Sequence, residues 1–210
     1  WKNAVETGTS RLLARGHGAL AAQLVAGIAD AALASRLAAR VLHEAGWFLL
    51  LSRHAALLRT LLDLMDPAAS GVELKLFEAA WKVLVTRRPH EAEALVDSLC
   101  REDDPLILAS AHALRASIAL QYDALSCAQE HLEKARFDDD LHPASSLAEL
   151  TEATTLQALG EFDKAAPRLA HVLSCADRDG LDLLQFDALH RRAVAATEAG
   201  ELDLSLRCCA

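Results

Sequence analysis

Ala158-Leu-Gly-Glu-Phe-Asp-Lys-Ala165 and Glu198-Ala-Gly-Glu-Leu-Asp-Leu-Ser205 decide the fold. In each, a glycine (Gly160 or Gly200) follows an apolar helical stretch and precedes Glu, an apolar residue and Asp. Glycine closes a helix because it enters the left-handed conformation without a Cβ penalty, and acidic residues favour the start of the next helix. With Ala165 as an anchor, Leu125, Ala128, Leu132 and Ala135 match Phe162, Ala165, Leu169 and Val172, and Pro89, Ala92, Val96 and Leu99 match again. Anchors at Ala21, Ala55, Ala92, Ala128, Ala165 and Ser205 are spaced 34, 37, 36, 37 and 40 residues. Twelve residues before each of the last four stands an alanine (Ala80, Ala116, Ala153, Ala193), small enough to let paired helices approach closely. Helix pairs recurring at this period are stacked hairpins, none of which buries its apolar face alone.

Composition agrees. The 210 residues include 43 alanines and 40 leucines, whereas Phe, Trp and Tyr together supply 4%. Ala and Leu lose little on entering a helix, and sheets draw on the β-branched and aromatic types that are scarce here. The apolar run Gly46 to Ser52 stops at Arg53 and is far short of a membrane span, so no membrane partner is expected. A net charge of −9 with only isolated basic doublets, Arg87-Arg88 and Arg191-Arg192, excludes direct nucleic-acid binding as an expectation. Five scattered cysteines with no signal peptide before them read as reduced thiols of a cytoplasmic protein.

The expectation is therefore an all-α fold: a helical-hairpin superhelix, an α-solenoid of about 11–12 helices, which resembles a tetratricopeptide-like superhelix. It forms one helical-repeat domain over 1–210, divergent over 1–67 and clearer over 73–210, cut from a larger protein. Helices are predicted near 18–28, 31–45, 53–65, 73–86, 90–101, 105–121, 124–136, 144–159, 163–176, 181–199 and 202–209. Pro67, Pro89, Pro105 and Pro143 fall at joints or first turns, while Pro167 implies a kink or a late start. Glu102-Asp103-Asp104 and Asp138-Asp139-Asp140 read as solvated turns and caps.

These repeats resemble tetratricopeptide repeats, and the N-terminal third carries a narrower resemblance. Arg11-Leu-Leu-Ala-Arg-Gly-His-Gly-Ala-Leu-Ala-Ala-Gln-Leu-Val-Ala-Gly-Ile-Ala-Asp30 is followed by an Ala-rich helix to Leu42 and an aromatic-apolar turn at Gly46-Trp47-Phe48. A helix His54–Met65 then closes at Asp66-Pro67. This is similar to the sensor region of MalT-type regulators, the large ATP-dependent members of the LuxR family, with Gly27-Ile-Ala-Asp30 where the family turn stands. The resemblance implies a transcription-regulation role: a non-enzymatic domain that binds a small-molecule inducer or a regulatory protein. Its other partners would be the ATPase and DNA-binding parts of the parent regulator, outside this chain. No glycine-rich phosphate loop is present, so no cofactor is expected in this chain. Self-association through open solenoid ends is also expected.

In such a superhelix the first helix of each hairpin lines the concave face. Offsets of −18, −15, −11, −8 and −7 from each anchor form one helical stripe. The ligand-binding candidates on it are Phe77, Trp81, Ser110, Ser117, Gln121, Thr154, Gln157, Asp187 and His190. The stripe runs from aromatic through hydroxyl and amide to acid and imidazole, the mixture a small-molecule pocket uses.

Cys127 with His131 and His171 with Cys175 are i,i+4 pairs, half of a structural zinc set. They sit at different offsets from their anchors, so the cysteines read as small buried hydrophobes and no metal site is expected. No nucleophile elbow or HExxH pattern points to an enzyme. Arg115 and Glu152 occupy equivalent repeat positions and are expected to pair across the stack.

Overall fold

The computed structural model describes residues 1–66, 71–138 and 142–209. The joint expected at Pro67 and the turn expected at Asp139-Asp140 lie outside these residues. Among the described residues the secondary structure is helical throughout, in twelve α-helices and one π-helical turn, with no strand. No described helix is long and apolar enough to cross a membrane. The chain divides into two compact units, Trp1–Leu95 and Val96–Ala210.

The first unit contains α1 (Lys2–Ala14), α2 (Gly18–Ala26), α3 (Ala31–Leu51), α4 (Ala55–Leu64), α5 (Val72–Ala80) and the π turn (Trp81–Val85). Asp30 caps α3 by accepting a hydrogen bond from the Leu33 N–H at 3.0 Å, so Gly27 to Asp30 is the turn the sequence suggests. The turn expected at Gly46-Trp47-Phe48 is corrected: α3 runs through it to Leu51. Glycine within a helix costs up to about 1 kcal/mol. Here it lies beside a run that buries Trp47, Leu49, Leu50 and Leu51. Those side chains contribute more than the glycine loses, at roughly 1.5–3 kcal/mol for each fully buried large apolar group. Helix α1 is absent from the predicted set because Thr7, Gly8, Thr9 and Ser10 are poor helix formers. Thr9 and Ser10 instead donate their hydroxyls to Val5 O and Glu6 O within the helix.

The second unit contains α7 (Pro105–Gln121), α8 (Leu125–Lys134), α9 (Pro143–Ala158), α10 (Phe162–Asp179), α11 (Asp182–Glu198) and α12 (Leu202–Cys209). The division between units falls within α6 (Pro89–Leu99). Each helix of the second unit packs on the next, and α9 also packs on α7 and on α11. Asp104 accepts from the N–H groups of Leu106 and Ile107, with Pro105 in the first turn of α7. His142 caps α9 instead of an aspartate: its Nδ1 accepts from the Ala144 N–H at 3.2 Å. Pro167 lies inside α10, which starts at Phe162, so the late start is not used. The four alanines placed for close approach are buried: Ala80, Ala116, Ala153 and Ala193.

One backbone device recurs. Gly16, Arg87, Asp123, Gly160 and Gly200 all have positive φ, and each stands five residues before an anchor. In four of these turns the next residue donates its N–H to the carbonyl five residues back: His17 to Leu12, Ala124 to Ala119, Glu161 to Leu156 and Glu201 to Ala196. This is the helix-closing Schellman pattern, which satisfies carbonyls left over at the helix end. At Arg87 the bond from Arg88 reaches six residues back, to Lys82 O, because the π turn adds one residue to the last turn.

Candidate functional site: a groove between α8, α9 and α10

Helix α9 carries Glu149 and Glu152 three residues apart, and α10 carries Arg168 and His171 at the same interval. Residues three apart share a helix face, so the antiparallel pair forms two rungs. Glu149 Oε2 lies 2.6 Å from His171 Nδ1, and Glu152 Oε1 lies 2.7 Å from Arg168 Nη2. The other nitrogen of His171, Nε2, is 3.6 Å from Cys175 Sγ. With Nδ1–H donating to the carboxylate, Nε2 is left to accept from the thiol. The i,i+4 pair thus extends the Glu149 rung to Cys175.

These rungs edge a cavity of about 300 Å³ whose apolar wall is Leu132, Ala135, Phe137 and Ala148. A second cavity of about 210 Å³ shares Leu132 and Glu152 and adds Gln129, Glu133, Thr155 and Leu156. Burial pushes the Glu152 carboxyl above its ordinary value, the Arg168 guanidinium opposes that, and the nearby Glu149 charge reinforces it. The acidic side chains of the two cavities (Glu133, Glu149, Glu152) outnumber the single arginine, Arg168. The volume is at the small end of ligand pockets. Glu149 and Glu152 each have a partner across the groove, so Glu133 is the lining carboxylate beyond the two rungs, and an apolar wall with that added acid suits a small organic molecule with an apolar body and a cationic group.

The nine stripe residues are placed differently. Phe77 is 3% exposed and packs edge-on to Trp47 at 5.5 Å, while Trp81 is half-buried at the start of the π turn. Ser110 is fully buried, its Oγ without a hydrogen-bond partner. Ser117 is buried and meets Thr151, Oγ to Oγ1, at 3.0 Å. Thr154 donates to Leu150 O at 2.8 Å, and Gln157 donates through Nε2 to Arg191 O at 3.0 Å. Asp187 is half-buried, and Gln121 and His190 are exposed. None of the nine lines either cavity. By helical spacing the groove residues of α9 lie on the side opposite Thr154 and Gln157.

Arg115 and Glu152 do not pair with each other, which corrects the stacking ion pair. Arg115 reaches Asp97 at 3.3 Å, and Glu152 reaches Arg168, because each side chain finds an opposite charge on a helix nearer in sequence. Cys175 is buried, but Cys100, Cys127 and Cys208 are only half-buried. Among the described residues, no three or more His, Cys, Asp or Glu side chains converge in a way that could hold a metal ion. The groove left one signal in the sequence: two acid residues and two basic residues at matching i,i+3 intervals on consecutive helices. Comparison with protein-family models, curated proteins and solved structures gives no match to this chain.

Proposed function

We propose that this chain is a non-enzymatic binding module built as a tetratricopeptide-like superhelix, and that it serves as the sensor segment of a MalT-type LuxR-family transcriptional regulator in the cytoplasm. The observation that carries the repeat reading is a pair of contacts: Ser117 to Thr151 and Gln157 to Arg191 each join residues 34 positions apart on successive first helices. That is the translation expected of one hairpin stacked on the next. The regulator assignment rests on the N-terminal resemblance. Inducer binding is assigned to the α8–α10 groove, where carboxylates surround an apolar wall. The inducer would act by changing how this segment holds the ATPase and DNA-binding parts of its parent.

Two experiments test this. Calorimetry with a panel of small amines should give binding to the chain that Glu152→Gln weakens at least tenfold. Failure of every amine, with a protein partner recovered instead, would replace the inducer reading by a plain protein-interaction scaffold. Extending the reading frame tests the regulator assignment: a phosphate-binding loop upstream and a helix-turn-helix downstream support it, and the lack of both overturns it.

A further inference from the structure

His112 on α7 and His131 on α8 face each other with their Nδ1 atoms 3.0 Å apart, and the ring centroids are 5.2 Å apart. His112 is 9% exposed and His131 is half-buried. Two like nitrogens at that distance make a hydrogen bond only if one carries a proton and the other offers a lone pair. When both rings are protonated, both nitrogens are donors, the bond is lost and two positive charges meet in a half-buried setting.

Among the described residues the acidic groups near the pair each have another partner, so Glu130 for both rings and Asp97 for His131 only partly offset the effect of burial. Cys100, just after α6, places Sγ 3.7 Å from His112 Nδ1. Asp97 on α6 is held by Arg115 on α7 at 3.3 Å, and Glu130 on α8 is held by Lys134 at 2.6 Å. On α9, which packs against both α7 and α8, Glu149 and Glu152 are committed to His171 and Arg168. Of the α8 residues only Ala128 is buried, and the helix N-terminus at Ala124 has no side-chain cap.

We propose that the His112–His131 pair is a proton-operated latch on the α7–α8 hairpin. It is closed while the two rings share one proton and released when both are protonated. Leu132, beside His131 on α8, and Ala135, just after that helix, form part of the wall of the 300 Å³ cavity, so release reshapes the groove. That consequence rests on the binding reading above; the latch itself does not.

Burial, foremost, holds both imidazoles below their ordinary value. For His112 the His131 charge and then Lys134 act in the same direction, and for His131 Lys134 and then Arg115 do. A histidine whose folded value is depressed contributes its full stability above the unfolded value of about 6.5 and loses it as the pH falls below that.

Hydrogen exchange on the whole chain reads the latch directly. Between about pH 7.5 and 5.5, protection factors of α8 amides should fall about tenfold more than those of α10. His131→Gln, which keeps a hydrogen-bonding side chain but does not titrate, should abolish that excess. An α8 response equal to that of α10, or an excess that survives in His131→Gln, overturns the proposal. A proton NMR titration of the unmodified chain supplies the second reading: His112 should titrate below the ordinary imidazole value of about 6.5, and titration at or above that value also overturns the proposal. Neither measurement uses a ligand, so a failure here and a failure of the amine calorimetry are separate results.

Discussion

Ser117 Oγ and Thr151 Oγ1 stand 3.0 Å apart, joining α7 to α9 across 34 residues. Each hydroxyl also has a carbonyl within its own helix, Ala113 O at 3.1 Å and Leu147 O at 2.8 Å. A hydroxyl has one proton, so only one of the two can donate across the gap at a time. Ser117→Ala therefore leaves Thr151 donating to Leu147 O, and no buried donor is stranded. The expected cost is about 0.5–1.5 kcal/mol in urea unfolding. A loss above about 3 kcal/mol would mean that the contact, and not alanine packing, holds the two helices in register.

Alanine packing should matter more. Ala116 and Ala153 are fully buried at equivalent places in successive hairpins. Ala153→Leu adds methylene groups where none fit and should destabilise by about 1–3 kcal/mol. Ala170→Leu, at an exposed position on α10, should change stability by less than about 0.5 kcal/mol. Equal effects on the two urea midpoints would refute the close-approach role.

How far these features can be read from residues alone depends on whether the signal is local. Asp104-Pro105 and Pro143 mark helix starts by chemistry that any sequence displays, and α7 matches its predicted bounds of 105–121. Gly160 and Gly200 likewise announce their turns. Arg87 and Asp123 hold the same left-handed conformation without glycine, so only the repeat register points to them. The π turn at Trp81–Val85 leaves no local mark at all. Gly46 misleads: its missing side chain reads as a turn but serves a neighbouring ring. The groove is half legible, since Glu149, Glu152, Arg168 and His171 show matching intervals. Which side of α9 opens onto a cavity depends on how α8 packs, and the stripe offsets carry no information on that.

The left-handed turns separate backbone cost from packing cost. A Cβ added at Gly160 meets nothing within 4 Å, so Gly160→Ala is limited by its φ of 78°. It should destabilise by about 1 kcal/mol. Asp123→Gly places glycine at the equivalent turn, where φ is 57°. It removes the left-handed strain but frees the unfolded chain, so the net effect should be a gain of a few tenths of a kcal/mol at most. Thermal unfolding of the two variants should shift in opposite directions.

Gly46 and Phe77 supply the sharpest pairwise test. A methyl group at Gly46 would stand 2.6 Å from Phe77 Cε2 and 2.8 Å from Cε1, and closer still to Cζ. The ring cannot swing into solvent without exposing a side chain that is 3% accessible, and Trp47 holds its edge at 5.5 Å. Gly46→Ala gains helix propensity of about 1 kcal/mol, yet overpacking should cost about 1–3 kcal/mol or more, so the variant should be less stable. Phe77→Leu alone should also destabilise, because it leaves space beside Gly46 and Trp47. Together the two changes relieve each other: the added methyl occupies volume that the ring vacates. The double variant should then be more stable than the sum of the single losses predicts, by about 0.5–3 kcal/mol. Strict additivity in urea unfolding would show that the Gly46 methyl and the Phe77 ring do not compete for one space.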